Sequence, residues 1–285
     1  MSKKAKKIIV TVLVILIIGI TFLFTHVPSL PDKHGIVEAK LYLGTGENQP
    51  LVVAFGGGGG GNDWTRHYLK QKRDSLLNKG YSVLAIGYFK SKGTQNNLDR
   101  ISLNAIADTI LNRAKHPKID ASKIALMGGS KGGELVLNLA SRYPQFKAVI
   151  AMSTSHVSFP ALTIYANTSS WMYNNQEVNY TPAPLKTLGP ALKGDLYTAH
   201  VMMLEDKAAA KDAQIPVEKI NGAILILSGK NDDQWPATTM SNELVSRLEN
   251  NGFAHPYEHI VLNGGHIAPL ENFGLVYRFL DAQFK

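Results

Sequence analysis

The sequence contains no cysteine, and this absence removes several kinds of chemistry. The chain can form no disulfide framework, no zinc site with thiolate ligands and no cysteine nucleophile, and it has no N-terminal cysteine that could carry a lipid. Its body also lacks any run of lysine or arginine interleaved with aromatic residues. A nucleic-acid partner is therefore not expected.

Acidic residues are the minority among the charged ones: 22 Asp and Glu stand against 30 Lys and Arg, a formal net charge of +8. Four of the basic residues lie within the first seven positions: Lys3, Lys4, Lys6 and Lys7. Much of the excess charge therefore belongs to a short tail, and the rest of the chain is only mildly basic.

The longest apolar run follows this tail directly. Residues 8–24 are apolar apart from Thr and Gly, and their number is near the lower end of the roughly 17–25 residues that span a bilayer. Segments rich in Lys and Arg beside a membrane span remain in the cytoplasm. We therefore predict a cytoplasmic tail over residues 1–7, a transmembrane anchor over 8–25 and a linker over 26–35, with the remaining chain outside the cytoplasm. A cleaved signal peptide is the alternative, although residues 25–28 show no small-residue cleavage pattern.

Strand and helix patterns alternate from residue 36 to residue 285, and several of the strands are continuous apolar runs. This pattern predicts the α/β class, with a mostly parallel sheet covered by helices on both faces. Seven segments are predicted as strands: Ile36–Leu43, Leu51–Phe55, Tyr81–Tyr88, Lys123–Met127, Ala148–Met152, Ala223–Ser228 and His259–Leu262. Apolar residues at helical spacing predict helices around residues 103–110, 240–248 and 273–284.

Residues 153–216 interrupt this alternation. The segment contains Trp171, Tyr173, Tyr180 and several prolines, but no clear strand pattern. We predict a cap-like insertion over the carboxyl edge of the sheet, where α/β folds bind ligands. An irregular surface insertion is the alternative.

Gly128 to Gly132 match the pattern G-x-S-x-G, with Ser130 at the centre. An apolar strand precedes the match and a helical pattern follows it, which is the context that a nucleophile elbow requires. The glycines leave room where strand and helix backbones crowd together. This context favours Ser130 as a nucleophile over an incidental serine in a glycine-rich turn.

A serine nucleophile needs a general base, and folds with this elbow supply their catalytic residues in the order Ser, acid, His. His266 follows the last predicted strand and precedes the last helix, whereas the other eight histidines lie too early in the chain or at the start of that strand. Asp232 and Asp233 follow the strand at 223–228, and either is a candidate for the acid that orients the imidazole.

The tetrahedral intermediate of acyl transfer needs backbone donors for its oxyanion. The amide of Lys131 is one candidate, and Gly57 or Gly58 in the run Gly56–Gly61 supplies the other. The same run matches the nucleotide pattern G-x-G-x-x-G, but no acidic residue ends the next strand and no Lys-Ser or Lys-Thr follows the run. A nucleotide site is therefore disfavoured, and neither a metal nor an organic cofactor is expected.

Several segments also carry the pattern of a known family: residues 55–57, 80–89, 129–135, 215–220, 232–236 and 265–266. Through them the chain from residue 51 onward resembles the catalytic domain shared by acyl-CoA thioesterases and bile acid-CoA:amino acid N-acyltransferases, which are dienelactone-hydrolase-like α/β-hydrolases. The resemblance implies an α/β-hydrolase fold and a triad of Ser130, Asp232 and His266. The related enzymes place their acid three residues after a glycine and four before a proline, a spacing that Asp232 meets and Asp233 does not.

A serine stands where the amino-acid-conjugating members have cysteine, which favours transfer of the acyl group to water. We therefore expect an acyl ester or thioester hydrolase that forms a covalent acyl-enzyme, with the amides of Gly57 and Lys131 as its oxyanion hole. Because CoA is a cytoplasmic carrier and the lysines place the domain outside, an envelope lipid or other acyl compound is the expected substrate. An exopeptidase or amidase, and a non-catalytic membrane-anchored binding protein, are the alternatives.

Overall fold

The computed structural model of the chain describes residues 1–163 and 167–284. Its strands are β1 Glu38–Tyr42, β2 Gln49–Phe55, β3 Ser82–Gly87, β4 Ile101–Ser102, β5 Ile119–Gly129, β6 Phe146–Met152, β7 Trp171–Tyr173, β8 Gln176–Glu177, β9 Ala223–Gly229 and β10 Tyr257–Leu262. Its α-helices are α1 Lys3–Thr25, α2 Lys70–Asn78, α3 Leu103–Arg113, α4 Lys131–Ala140, α5 Leu188–Leu192, α6 Leu196–Met203, α7 Lys207–Asp212, α8 Ala237–Asn250, α9 Ala268–Glu271 and α10 Gly274–Gln283.

Seven strands form the main sheet, in the order β1-β3-β2-β5-β6-β9-β10. β1 pairs with β3 in antiparallel fashion, and every other neighbouring pair in this sheet is parallel. The carboxyl ends of β2, β5, β9 and β10 therefore meet at one edge of the sheet. The loops after these four strands carry the residues predicted to be catalytic.

The five inner strands of the main sheet are buried on both faces, as their continuous apolar runs require. On one face, side chains such as Val53 and Leu126 pack against apolar residues of α3, α4 and α8. On the other face, Ala125 and Ile150 pack against apolar residues of α2 and α10. All seven predicted strands lie in this sheet, and the predicted class, a mostly parallel sheet with helices on both faces, is confirmed.

The predicted insertion leaves the main sheet after β6 and returns at β9. It contains α5, α6 and α7, as well as β7 and β8, which join β4 in a separate three-stranded sheet. The sequence showed no clear strand here because β7 and β8 have only three and two residues, too few for a periodic pattern. Asp195 and Asp206 cap α6 and α7 by accepting hydrogen bonds from backbone amides of the first turn.

α1 begins within the basic tail, since the Ser2 hydroxyl accepts from the Ala5 amide at 3.2 Å and caps the helix. In the described part of the chain it is the one helix long and apolar enough to cross a membrane, over Lys3–Phe22 with a mean hydropathy of 2.3. None of this apolar stretch is buried against the domain. A signal sequence meets the same criteria of length and composition.

Candidate active site

Ser130 occupies the turn between β5 and α4, with φ 56° and ψ −125°. A non-glycine residue in such a region carries about 1–3 kcal/mol of strain, so neighbouring groups must hold it in place. The Ser130 amide donates to the Met152 carbonyl at 2.9 Å, and the Ser130 carbonyl accepts from the Gly133 amide at 2.8 Å. The serine is thus fixed in the strained strand-to-helix turn that defines a nucleophile elbow.

Close backbone packing explains the glycines on both sides of Ser130. A Cβ atom on Gly128 would collide with the carbonyl oxygen of Gly132. A Cβ atom on Gly132 would in turn collide with the carbonyl oxygen of Gly56. The crossing of strand, turn and helix therefore leaves no space for a side chain at either position.

Asp232 and His266 are joined by a hydrogen bond of 2.7 Å between the carboxylate Oδ2 and the imidazole Nδ1. The other carboxylate oxygen of Asp232 accepts from the amides of Gln234 and Trp235, at 2.9 and 3.3 Å. The Asp232 side chain is 2% exposed, whereas Asp233 is exposed to solvent. Of the two adjacent candidates, the structure brings Asp232 to the imidazole.

The loops that carry the acid and the histidine are held together by their main chains. A Cβ atom on Gly229 would collide with the carbonyl oxygen of Gly265, so the two loops touch at this point. The Asn231 amide also donates to the Gly264 carbonyl at 2.9 Å. The contact between carboxylate and imidazole therefore depends on backbone packing as well as on the two side chains.

Ser153 and Trp235 support the histidine loop. Trp235 belongs to the family pattern at residues 232–236, but the sequence predicts a role in the site for neither residue. The Ser153 hydroxyl donates to the His266 carbonyl at 2.7 Å, and the Trp235 indole N–H donates to the Ser153 carbonyl at 2.9 Å. Ser153 also has a positive φ of 43°. Its position directly after β6, between the strands that precede Ser130 and the acid, is the one sequence signal that could have identified it.

Gly57 and Lys131 present backbone amides beside Ser130. A Cβ atom on Gly57 would lie 3.2 Å from the Ser130 Cβ and 3.8 Å from its Oγ, so this backbone passes next to the Ser130 side chain. Lys131 opens α4, and the first amides of a helix have no partner within it. Within residues 1–163 and 167–284, neither amide donates to another protein group, so both are available to a ligand.

Gly57, Ser130 and His266 line one cavity of about 200 Å³, here named the catalytic cavity. The rest of its wall is largely apolar and includes Trp64, Tyr68, Leu69, Met152, Ile267 and Leu270. The Ser130 hydroxyl, the His266 imidazole and the free Gly57 amide therefore converge on a space that suits a hydrocarbon group.

A second cavity, of about 300 Å³, lies within the insertion and is here named the insertion chamber. Its wall is formed mainly by apolar residues: Phe159, Ala161, Leu162, Leu188, Leu196, Ala199 and Met203. A chain of ring contacts connects its wall to His266. His200 lines the chamber and packs on Trp235 with centroids 5.3 Å apart, and Trp235 lies 6.1 Å from the His266 ring.

His200 places no positive charge near the His266 imidazole at neutral pH. Burial lowers the pKa of His200 to about 4, because the charged ring would lose its hydration. Its Nδ1 lies 2.8 Å from the Leu196 carbonyl and 3.0 Å from the Gln234 carbonyl. These acceptors favour the tautomer with the proton on Nδ1.

The side chain of Lys131 forms a buried ion pair with Glu134. The ammonium group donates to both carboxylate oxygens at 2.8 Å, and the same carboxylate accepts from the Trp171 indole at 2.7 Å and the Phe159 amide at 3.2 Å. Burial lowers the pKa of Lys131 and raises the pKa of Glu134, while their mutual attraction opposes both shifts. The pair joins α4 to the insertion, and Lys131 does not line the catalytic cavity.

The described residues include no cluster of three His, Asp or Glu side chains that could hold a metal ion. The glycine run after β2 leads into a short 3-10 helix at Asp63–Thr65, so it does not open an α-helix whose first amides could bind a nucleotide phosphate. The chemistry that this geometry supports comes from Ser130, Asp232, His266 and the backbone amides.

The parallel sheet, the strained serine after β5 and the His–Asp pair after β10 and β9 are the features of an α/β-hydrolase. The family described as BAAT / acyl-CoA thioester hydrolase C terminal matches residues 107–271, more than half of the sequence. The chain belongs to this family, and the resemblance inferred from its motifs is confirmed. The matched range includes Ser130, Asp232 and His266.

Curated relatives of the chain are acyl-coenzyme A thioesterases. Mouse acyl-coenzyme A thioesterase 5 is 26% identical over 253 residues, which cover 87% of this chain and 56% of the relative. Human mitochondrial acyl-coenzyme A thioesterase 2 is 26% identical over 239 residues, which cover 82% of this chain and 46% of the relative. The chain thus spans about half the length of these relatives.

Solved structures share the fold at low sequence identity. The acylaminoacyl peptidase of Pyrococcus horikoshii superposes with a TM-score of 0.61 and 15% identity, covering 87% of this chain and 40% of the peptidase. Acetyl xylan esterase 1 of Thermoanaerobacterium gives a TM-score of 0.53 and 16% identity, covering 85% of this chain and 77% of the esterase. Peptidases and esterases share this fold, so the likeness identifies the architecture and not the substrate.

Proposed function

We propose that the protein is a serine hydrolase that cleaves acyl esters or thioesters through a covalent acyl-enzyme. One observation carries the proposal: Ser130 and His266 line the same cavity, and His266 is hydrogen-bonded to the buried carboxylate of Asp232. The thioesterase names of the curated relatives support the same class of reaction.

In this mechanism Ser130 Oγ attacks the acyl carbonyl carbon while His266 Nε2 accepts the hydroxyl proton. Asp232 holds the imidazole in the required tautomer and stabilises the cation that forms. The amides of Gly57 and Lys131 donate to the oxyanion of the tetrahedral intermediate. His266 then gives the proton to the departing alkoxide or thiolate, and a water molecule repeats the sequence to release the carboxylic acid.

The cavity walls favour a substrate with a hydrocarbon chain. Among the described residues that line the catalytic cavity and the insertion chamber there is no Lys or Arg. Such cations are the usual partners of phosphate groups, of which CoA has several. We therefore propose a membrane lipid ester or a similar acyl compound as the natural substrate, and acyl-CoA as the competing candidate.

The proposal also includes how the chain is placed in the cell. Residues 1–7 form a cytoplasmic tail, residues 8–25 an anchor and residues 26–35 a linker to a hydrolase domain over 36–285, with a cap at 153–216. The lysines before the apolar run and the exposure of α1 support this arrangement.

Labelling with a fluorophosphonate probe tests the proposal, because the probe reacts with activated serines. We expect labelling of the wild type and of the exposed-serine control Ser246→Ala, and none of Ser130→Ala. Absence of labelling in the wild type would favour a non-catalytic binding protein over an enzyme. A substrate screen then distinguishes an ester or thioester hydrolase from a peptidase. Hydrolysis of peptides but not of esters or thioesters would identify a peptidase.

A further inference from the structure

The linker is attached to the domain almost as soon as α1 ends. The guanidinium group of Arg100 donates to the carbonyl oxygens of Pro28 and Ser29, at 2.9 and 3.0 Å. Arg100 is 4% exposed and is held at a positive φ of 48°. We name the contact of Arg100 with Pro28 and Ser29 the clamp. Since α1 ends at Thr25, two residues lie between the helix and the clamp, and the chain between them spans roughly 10 Å at most.

The clamp lies on the same side of the domain as the insertion chamber. The Arg100 amide donates to the Ser169 carbonyl at 2.9 Å, and the Leu162 amide donates to the Leu98 carbonyl at 3.0 Å. The loop at residues 98–100 therefore contacts the linker on one side and the insertion on the other. Leu162 lines the chamber and is 47% exposed, so the chamber opens to the surface near the clamp.

Exposed apolar side chains are concentrated in this region. Beyond α1, thirteen large apolar side chains of the described residues are exposed, of which two lie in the linker and six in the insertion. The six are Leu162, Leu185, Leu192, Leu196, Tyr197 and Val201, with Leu192 at 77%. Lys186 and Lys193 stand next to two of these leucines, a pattern typical of elements that lie on a membrane surface.

We propose that the linker and the insertion form a bilayer-docking face, on which the chamber mouth rests against the lipid. An acyl chain then passes from the bilayer into the insertion chamber without crossing water. The proposal rests on the proposed function and on α1 as a membrane anchor. Burial of the exposed leucines in the interface removes apolar surface from water and therefore favours docking.

The short tether distinguishes the bilayer from other occupants of this face. A second copy or another protein would have to reach the face from solution, whereas lipid is held beside it by the anchor of the same chain. Tethering raises the effective concentration of one partner by orders of magnitude. Weak contacts of the six apolar side chains of the insertion are then sufficient for docking.

Site-directed fluorescence in liposomes tests the face on the full-length chain, which contains no native cysteine. Leu185→Cys and Leu192→Cys each receive one environment-sensitive fluorophore, and the exposed Val261→Cys on the edge strand serves as control. In vesicles of phosphatidylcholine and phosphatidylglycerol, nitroxide-labelled lipid should quench the first two several-fold more than the control. Equal quenching at all three positions would overturn the proposal.

An activity assay separates docking from catalysis. The double variant Leu185→Ser, Leu192→Ser should lose at least several-fold in hydrolysis of a long-chain ester dispersed in the vesicles, and keep its rate on a water-soluble short ester. Val261→Ser should change neither rate. Loss of both rates to the same extent would contradict docking. The Ser130→Ala variant should be inactive and still show lipid quenching, so failure of the catalytic proposal is recognised independently.

Discussion

Ser130 and Ser153 are both non-glycine residues at positive φ, and they lie at the ends of neighbouring parallel strands. The sequence predicts the first because a short motif of glycines surrounds it. It does not predict the second, because the bond from Ser153 to the His266 carbonyl joins residues 113 positions apart. Such a contact depends on the completed sheet and leaves no local pattern.

Single substitutions of the adjacent Asp232 and Asp233 test which of the two is the catalytic acid. Asp232→Asn should keep the fold but favour the wrong tautomer of His266, lowering turnover by about 10⁴ if the site behaves like other serine triads. Asp233→Asn should stay within about tenfold of the wild type, because the exposed carboxylate contributes at most a loop hydrogen bond of roughly 1 kcal/mol. Steady-state kinetics of both variants measure the difference. The reverse pattern would make Asp233 the acid.

A second prediction concerns the half-buried His156, whose pKa is lowered to about 4, mainly by loss of hydration and further by Lys207. The folded-state pKa lies below the unfolded value of 6.5, so the unfolded chain binds more protons between these pH values. Above about pH 6.5, His156 therefore does not reduce the free energy of unfolding. As the pH falls toward about 4, His156 lowers this free energy by on the order of 3 kcal/mol.

His156→Gln should remove this part of the acid destabilisation, since its amide does not titrate. The checking measurement is the free energy of unfolding in urea at neutral and at acidic pH, with His67→Gln as the exposed control. An unchanged pH slope in His156→Gln would show that folding does not lower the pKa of His156.

At the level of elements, the main sheet could be predicted and the small sheet could not. The five inner strands of the main sheet are buried on both faces, so each appears as an apolar run, although β5 begins at Ile119 and not at Lys123. The edge strands β1 and β10 are partly exposed. β4 pairs with β7 over two residues, and this pairing is set by packing of the insertion. A cavity formed between such segments, like the insertion chamber, therefore cannot be predicted from the sequence.

The ion pair between α4 and the insertion leads to a prediction at this scale. Lys131→Met should lower the free energy of unfolding by about 3–5 kcal/mol, because it leaves the buried Glu134 carboxylate without its cation. Thermal or urea unfolding checks the loss. Adding Glu134→Gln should restore part of it, since the amide oxygen can still accept from Trp171. A single variant as stable as the wild type would mean that Glu134 is already neutral in the native protein.

For the whole molecule, anchor, clamp and insertion act together in the proposed arrangement. The anchor determines which compartment the domain occupies, and the clamp at Arg100 determines which face meets the membrane. The compartment in turn restricts the substrate, because CoA is a cytoplasmic carrier. Orientation of the chain is therefore the measurement that most narrows the substrate class.

The absence of cysteine allows this orientation to be measured with single reporters on the full chain. In spheroplasts, a membrane-impermeant maleimide should label Ser246→Cys on α8 at once, and Ala5→Cys in the tail only after lysis, because the lysines of the tail stay inside. Replacing Lys3, Lys4, Lys6 and Lys7 by Glu should weaken or invert this pattern. Labelling of Ala5→Cys alone in intact spheroplasts would place the hydrolase domain in the cytoplasm and make acyl-CoA the favoured substrate.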